Sequence, residues 1–336
     1  MRKFTSSICS AQTVVAFVMV AAALALMPSC GEKTAPEHTG TNDSQQTSTQ
    51  LADSKARAVD PEGPIRNIVS LAPSVTEWSF ALGGGEYIVG RTDFCRWPAE
   101  ALSIPSVGGL TTPTMEYIVG LAPDVVIASG LTPKPVITQL KKIGLEVATL
   151  QFSNMAAITG SIDQLAEIYG LDAGNSPSGR KWMDIMSEKA ELDTTGDGLA
   201  PGVVVLFGTE ALFGAGRDTF VAEMVEFCGG RNLPSLIQSS SWPQIPEETL
   251  LSWNPDLIIV HVDENIASEA AIKRFMAKWE KRPMWDTLKA MKNGHIRAVT
   301  DSRLSVPGPR ILDTLDQMRA WISEASSDST IPGESP

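Results

Sequence analysis

The sequence predicts an α/β protein of two similar lobes, each built on a parallel sheet, that a single long α-helix joins. Residues 115–127 and 247–259 repeat one pattern, in which a glutamate stands eight positions before the aspartate of a Pro-Asp pair. The apolar run after each Pro-Asp pair does not alternate with polar residues, which is typical of a strand covered on both faces. Between the copies, residues 177–192 show helical spacing without a strand pattern. Copies this far apart indicate two lobes rather than a short-period solenoid.

The N-terminal 62 residues are predicted to lie outside the fold. Two basic residues precede an uncharged apolar stretch at 14–27, which is the pattern of a secretory signal. The stretch ends in Leu-Met-Pro-Ser-Cys, which is similar to a lipoprotein cleavage site, so we interpret residues 1–29 as a signal peptide and Cys30 as a lipid attachment site. The alternative is an ordinary signal peptide, with no lipid on Cys30. Residues 30–62 are too polar to bury a core, which predicts a flexible tether to a membrane.

Charge and cysteine content limit the function classes. The formal net charge is −12 and the pI is near 4.8, which argues against a nucleic-acid partner, because phosphate contacts need clustered Lys and Arg. Two of the four cysteines, Cys95 and Cys228, fall in the predicted folded part. In an oxidising compartment such a pair could form a disulfide, and the sequence leaves their separation open.

The first lobe is predicted at residues 63–172, where strands and helices alternate. A strand at 66–71 leads into a helix for which Ser74 is the predicted N-cap and Glu77 its capping-box partner. The elements predicted next are a short strand near 88–90, a short strand and turn at 105–109, the first repeat, a helix near 134–143 and a strand at 146–150. Short connections between alternating elements indicate a parallel sheet covered by helices.

A linking helix within residues 173–198 and a second lobe at 199–325 complete the predicted fold. A helix of about 17 residues spans roughly 25 Å and permits small rocking of the lobes rather than wide closure. The second lobe is predicted to contain a strand at 202–207, a helix at 218–228, the second repeat, a charged helix at 269–282, a helix–strand pair at 285–299 and a last helix at 310–323. Residues 326–336 are predicted to be a disordered tail.

Signals for catalysis and for metal binding are weak. No two of the three histidines stand at metal-ligand spacing, and the sequence contains no His-Glu-x-x-His or Cys-x-x-Cys motif. Ser178-Gly-Arg-Lys181 lacks the partner motifs of penicillin-recognising enzymes, and Gly214-Ala-Gly216 lacks the third glycine of a dinucleotide fingerprint. We therefore predict a binding protein and not an enzyme, with no metal site of its own.

Aromatic residues in loops are the main sign of binding. Those between strand ends and helix starts are Phe94, Trp97, Phe213 and Trp242. Open α/β sheets bind ligands at such loops, and large flat side chains suit large flat ligands. Core packing is the alternative for each aromatic residue. We favour exposure for Trp242 and core packing for Trp97, Trp182, Trp279 and Trp321.

Taken in order, the motifs resemble the helical-backbone substrate-binding proteins of ABC importers for cobalamin and iron chelates. The matching motifs, between about Ile65 and Ser323, are Ser-Leu-Ala-Pro-Ser-x-Thr-Glu (70–77), Glu116 with Pro123-Asp124, Gly-x-Gly (214–216), Cys-Gly-Gly-x-Asn (228–232), Trp-Pro-Gln (242–244), Glu248 with Pro255-Asp256, and Pro-Gly-Pro-Arg (307–310). The resemblance implies a class III fold of two Rossmann-like lobes, a ligand cleft between them, no intrinsic cofactor and a monomer. It also implies delivery to a membrane permease that a cytoplasmic ATPase drives.

Within this family the chain looks most like the cobalamin receptors. The resemblance implies a ligand contact set of Phe94, Leu110, Phe213, Trp242, Asp301 and Arg303. Leu110 and Ser129 stand where cobalamin receptors carry tryptophans, so a ferric-siderophore or haem receptor stays open as an alternative. The positive charge that suits an anionic chelate could come from Arg91, Arg96, Arg217 and Arg303. A sensor domain or an enzyme built on this fold is the third alternative.

The resemblance also assigns roles to the repeated glutamates and to one cysteine. One glutamate per lobe pairs with permease arginines in the family, which here implies Glu116 and Glu248. Glu247 beside Glu248 leaves the second assignment open. Without the resemblance, the helix dipole alone explains a glutamate at each helix start, an interaction worth about 0.3–1 kcal/mol. Because Arg319 stands where the family has the second disulfide cysteine, Cys228 is expected to be a buried free thiol.

Overall fold

The structure is a computed structural model that describes residues 67–191, 200–208, 211–262, 281–300 and 302–329, together with Lys273, Ala277 and Trp279. The predicted signal peptide, Cys30, the tether, Asp301 and the last seven residues lie outside the described residues. Most of the predicted charged helix at 269–282 lies outside them as well.

The N-terminal lobe is built on a four-stranded parallel sheet in the order β2-β1-β3-β4. Its strands are β1 (Ile68–Ser70), β2 (Ile88–Arg91), β3 (Val125–Ser129) and β4 (Val147–Leu150). Its helices are α1 (Pro73–Leu82), α2 (Met115–Gly120), α3 (Lys134–Lys142) and α4 (Met155–Tyr169). Every residue of β1 and β3 is buried, as predicted for strands covered on both faces.

Residues 105–109 do not form the predicted short strand. Ser106 makes an isolated bridge with Arg91, and Gly108 makes one with Pro113. The regular ladder stops there because proline has no N–H to donate and Gly108 turns the chain with a φ of 104°.

The C-terminal lobe is built on a five-stranded sheet in the order β6-β5-β8-β9, with β7 also paired to β5. Its strands are β5 (Gly202–Phe207), β6 (Phe213–Gly214), β7 (Arg231–Asn232), β8 (Leu257–His261) and β9 (Ile296–Val299). Its helices are α6 (Phe220–Phe227), α7 (Glu247–Trp253), α8 (Lys289–Lys292) and α9 (Ile311–Ser329). Only β6 pairs antiparallel among these strands of the described chain.

The repeated Pro-Asp pair fastens the first strand of each lobe. Asp124 Oδ2 accepts the backbone N–H of Asn67 at 3.0 Å, and Asp256 Oδ2 accepts that of Gly202 at 2.8 Å. Each aspartate also donates its own N–H to the carbonyl of the same partner, at 2.8 Å in both lobes. The residue before each proline has a φ of 45°, a left-handed conformation that ends the helix where the sequence predicted it.

The linking helix α5 (Pro177–Glu191) packs between the lobes. Trp182 is fully buried in it, lies edge-on to Trp78 of α1 with ring centroids 6.1 Å apart, and donates its indole N–H to Thr159 Oγ1 at 3.0 Å. One apolar cluster contains residues of β1, α1 and α4 in the first lobe and of β5, α6 and α9 in the second. The predicted fold of two parallel-sheet lobes with a linking helix is confirmed, and the lobes share a core beyond that helix.

The predicted capping box at Ser74 and Glu77 is wrong. Ala72 is the N-cap of α1 and no side chain caps the helix. Glu77 instead binds Arg310 of the C-terminal lobe at two points, with Nη2–Oε1 at 2.5 Å and Nε–Oε2 at 3.1 Å. A carboxylate that is only 2% exposed needs a charged partner, and a guanidinium meets both of its oxygens.

Candidate functional site

The loops at the carboxyl ends of the strands carry the predicted ligand residues and lie beside one another within each lobe. Phe94, which follows β2, is 38% exposed. The backbone bond from Asp93 N to Gly108 O, at 2.9 Å, places its loop beside the loop of the half-buried Leu110. Phe213 begins β6 and bridges to Gln244, next to Trp242. In each lobe, two of the predicted ligand residues therefore lie on neighbouring segments of the chain.

Trp242 is half-buried rather than exposed as predicted. Its ring lies edge-on to Phe207 with centroids 5.0 Å apart, and Phe207 stacks on the ring of His261 with centroids 5.3 Å apart. The loop around Trp242 is held against β6 by two backbone bonds of 2.9 Å, Gly214 N to Pro243 O and Gly216 N to Ser241 O. This backbone pairing and the contact with Phe207 keep the indole half-buried.

Sequence reasoning missed His261 as part of this aromatic cluster. The available signal was its position, since His261 is the last residue of the buried strand β8 and so stands at the ligand-binding edge of the sheet.

Trp97 lies on the surface and not in the core as predicted. Its ring is 39% exposed, and the guanidinium of Arg310 lies 5.3 Å from the ring centroid. The interaction of a cation with the ring face holds Trp97 beside the Glu77–Arg310 pair. The other three tryptophans are buried or partly buried, as predicted: Trp182, Trp279 and Trp321.

The grooves among the described residues include two of similar volume. The first, which we call the polar groove, has a volume of ≈ 270 Å³ and is lined by Arg217, Asp218, Ile237, Gln238, Ser239, Ser240 and Ser241. The second has a volume of ≈ 260 Å³ and is lined by Trp97, Pro177, Ser178, Lys181, Pro309, Arg310, Leu312 and Asp313. The polar groove adjoins the aromatic cluster, because Ser240 Oγ accepts the backbone N–H of Trp242 at 3.0 Å.

The four arginines proposed to serve an anionic ligand have different surroundings. Arg91 binds the carbonyl oxygens of Ala101 at 2.8 Å and of Thr92 at 2.9 Å, so it holds its own loop. Arg96 donates to the Asp93 carbonyl at 3.4 Å, and Arg303 is half-buried in a short 3-10 helix and already engaged. Arg217 is exposed in the polar groove and makes no hydrogen bond or ion pair within the described ranges.

The three glutamates at the starts of α2 and α7 are not equivalent. Glu247 forms an ion pair with Arg282, whose guanidinium lies 5.4 Å from the Trp279 ring centroid and 5.2 Å from that of Trp285. Glu116 and Glu248 are exposed and make no ion pair with any residue that the structure describes. The ion pair of Glu247 therefore distinguishes it from Glu248, whereas the sequence alone left the docking role in this lobe open between the two.

Cys95 and Cys228 are both free thiols, as the family resemblance implied. Cys95 is fully buried, with its Sγ 3.2 Å from Thr92 Oγ1, and burial raises its pKa. Cys228 is half-buried rather than buried as predicted, and burial raises its pKa to about 12 against the opposing charge of Arg319. The position of Arg319 beside Cys228 explains why the thiol has no disulfide partner.

The described part of the chain offers no cluster of His, Cys, Asp or Glu that could hold a metal ion. No helix within it is both long and apolar enough to cross a membrane.

The known proteins to which this chain is similar include binding proteins for cobalamin and for haem. A cobalamin-binding protein of Halobacterium salinarum is 25% identical over 272 residues, which cover 79% of this chain and 72% of that protein. The solved structure of the periplasmic vitamin B12 binding protein BtuF of Vibrio cholerae aligns with a TM-score of 0.62 and 25% identity over 78% of this chain and 98% of that one. The apo periplasmic haem-binding protein RhuT from Roseiflexus sp. RS-1 aligns with a TM-score of 0.61 and 25% identity over 79% and 100%.

A family model described as periplasmic binding protein matches residues 68–302, which is more than half of the sequence. The chain therefore belongs to the periplasmic binding protein family, whose members bind solutes for transport and are not enzymes.

Proposed function

We propose that the protein is an extracytoplasmic receptor of an ABC importer that captures cobalamin or a related corrinoid between its lobes. The observation that carries the proposal is the placement of aromatic side chains at the strand ends of both lobes, Phe94 in one and Phe213 with Trp242 in the other. A corrin ring is large and flat, and aromatic faces bind such rings with little loss of side-chain entropy. The names of the Halobacterium and Vibrio relatives support the same ligand.

The proposed mechanism is capture and delivery without chemical change. The ring stacks on the aromatic residues, and the polar groups Asp301 and Arg303 hydrogen-bond to its rim. The shared core and the Glu77–Arg310 pair keep the lobes close to one arrangement, so binding needs only small rocking. If the cleft is pre-formed in this way, the ordering cost of binding is lower.

Delivery is proposed to use Glu116 and Glu248 as one docking contact per lobe. Both are exposed and lack an ion pair among the residues described, which leaves their carboxylates available to arginines of a permease. A separate cytoplasmic ATPase would supply the energy of transport. Lipid attachment at Cys30 would hold the receptor at the outer face of the cytoplasmic membrane or in the periplasm, as a monomer.

A haem or ferric-siderophore receptor is the second candidate. Two positions favour it, because Leu110 and Ser129 stand where cobalamin receptors have tryptophans. Leu110 is aliphatic and half-buried, and Ser129 is buried. The structural similarity to the haem-binding protein RhuT supports it to the same degree as the similarity to BtuF.

Isothermal titration tests both candidates directly. We expect cyanocobalamin to bind more tightly than haemin and more tightly than a panel of ferric siderophores. A dissociation constant for cyanocobalamin weaker than roughly 0.1 mM, about −5.5 kcal/mol, would overturn the first candidate. Tight binding of haemin alone would establish the second.

A further inference from the structure

The polar groove begins where the aromatic cluster ends. Its two walls, residues 217–218 and 237–241, are held together by the bond from Gly216 N to Ser241 O at 2.9 Å. The second wall runs directly into Trp242, whose N–H is fixed by Ser240 Oγ. A ring ligand that lies on Trp242 therefore has the polar groove at its edge.

The size of the polar groove fits part of a ligand and not a whole one. Small-molecule pockets have volumes of about 300–1,000 Å³, and the groove has ≈ 270 Å³. It therefore suits a substituent that projects from a larger ring.

The chemistry of the groove fits an oxyanion. Three serine hydroxyls and the Gln238 amide can donate hydrogen bonds, and Arg217 adds a guanidinium that binds carboxylate or phosphate at two points. Of the four arginines that could serve an anionic ligand, Arg217 alone combines exposure with no hydrogen bond or ion pair inside the described ranges.

We propose that the polar groove binds a carboxylate or phosphate substituent of the ring ligand, with Arg217 as its charged contact. The inference rests on the proposed function, because it places the ring on Trp242. It narrows the ligand class to tetrapyrrole-type rings that carry an oxyanion at the periphery. Haem does so through two propionates, and cobalamin carries its phosphodiester in the nucleotide loop that hangs from the edge of the corrin ring.

Nearby carboxylates limit the electrostatic attraction between Arg217 and an anionic substituent. Asp218 lines the same groove, and Glu226 lies close enough for Arg217 to lower its pKa against the rise that burial causes. Asp218 and Glu226 place negative charge beside Arg217, so recognition depends on hydrogen bonds from the guanidinium rather than on a broad positive potential. We expect a loss of about tenfold in affinity when Arg217 is replaced, and only weak dependence on salt.

The test compares matched ligands with and without the oxyanion. Binding of cyanocobalamin and of dicyanocobinamide, which lacks the nucleotide loop and with it the phosphodiester, is measured for the wild type and for Arg217→Gln. Haemin and its dimethyl ester form the second pair. Arg231→Gln, which removes another exposed arginine of the same lobe, is the control, and Arg217→Lys tests rescue by charge.

The expected result is that Arg217→Gln weakens the oxyanion-bearing member of whichever pair binds and leaves the neutral member unchanged. Arg217→Lys should recover part of the loss, and Arg231→Gln should have no effect. An equal loss for both members of the pair, or no loss, would overturn the groove assignment while the proposed function stands. Binding of neither pair to the wild type would overturn both.

Discussion

Glu77 of α1 and Arg310 ahead of α9 form a two-point ion pair between the lobes, at 2.5 Å and 3.1 Å. Trp97 covers the guanidinium, Ser302 Oγ accepts a further bond from it at 2.7 Å, and the indole of Trp78 donates to the Pro307 carbonyl at 3.0 Å. These contacts fasten the segment before α9 onto the first lobe.

Glu77→Gln should destabilise the protein strongly. Removing the buried carboxylate leaves the half-buried Arg310 without its charged partner, and breaking a buried pair costs about 3–5 kcal/mol. Urea unfolding measures the loss. Lys181→Met, which removes a solvent-exposed pair with Asp316, is the control and should cost about 1 kcal/mol or less. Equal losses of unfolding free energy would show that the buried ion pair stabilises the protein no more than the exposed one.

Glu116→Ala combined with Glu248→Ala should abolish uptake and leave ligand affinity unchanged. The physical reason is the loss of both exposed carboxylates proposed to meet permease arginines. Uptake of labelled ligand into cells and titration of the purified receptor give the two readouts. Glu247→Ala is the matched control, because Glu247 already pairs with Arg282, and it should retain uptake. Loss of ligand binding in the double variant would show that the docking face is misplaced.

Trp242→Ala should weaken ligand binding by about tenfold or more, since the ring loses an aromatic face of the kind worth about 0.5–1.5 kcal/mol beyond its buried area. Trp242→Phe should retain most of the affinity. Quenching of tryptophan fluorescence in the Phe variant and titration in both variants measure the change. Leu236→Ala, at a side chain 59% exposed in the same lobe, is the control. Unchanged affinity in Trp242→Ala would place the ligand elsewhere.

The thiol of Cys228 should react slowly in the folded protein. Its pKa is about 12, so at pH 8 the thiolate is scarce, and iodoacetamide should modify the folded chain at least about tenfold more slowly than the unfolded chain. The alkylation rate of Cys228 in the folded protein should still rise above pH 9, whereas the rate of an ordinary thiol with a pKa near 8.5 approaches its plateau there.

Mass spectrometry after denaturation without reductant should show Cys95 and Cys228 both alkylated. A mass gain of about two daltons on reduction, the signature of a broken disulfide, would contradict two free thiols.

Asp124→Ala should destabilise the first lobe by about 1–2 kcal/mol, because it leaves the Asn67 N–H at the start of β1 without its acceptor. Asp124→Asn keeps an acceptor oxygen and should cost less. Thermal unfolding compares the two. An equal cost would mean that charge rather than the hydrogen bond matters at this position.

Local and periodic signals predicted the fold well. The buried strands β3 and β8 were evident from apolar runs without alternation, and the Pro-Asp pairs marked the ends of α2 and α7. These features depend on residues within a few positions of one another, so the sequence contains their cause. The shared core between the lobes depends on packing across the whole chain and was not predicted.

The errors at the site have one physical origin, which is partners distant in sequence. Glu77 matched a capping box, but its partner Arg310 lies 233 positions away. The same arginine holds Trp97 at the surface, and the paired backbone of β6 and the contact with Phe207 keep Trp242 half-buried. Glu247 and Glu248 were indistinguishable until the position of Arg282 was known.

The core shared by the two lobes bears on how an importer distinguishes a loaded receptor from an empty one. In a receptor whose lobes close around the ligand, the spacing of the docking residues changes, and the permease can detect that change. Here the core shared by the two lobes limits their movement to small rocking, so the spacing between Glu116 and Glu248 should change little when a ligand binds. Empty receptors would then compete with loaded ones for the permease, and transport would slow when receptor outnumbers ligand.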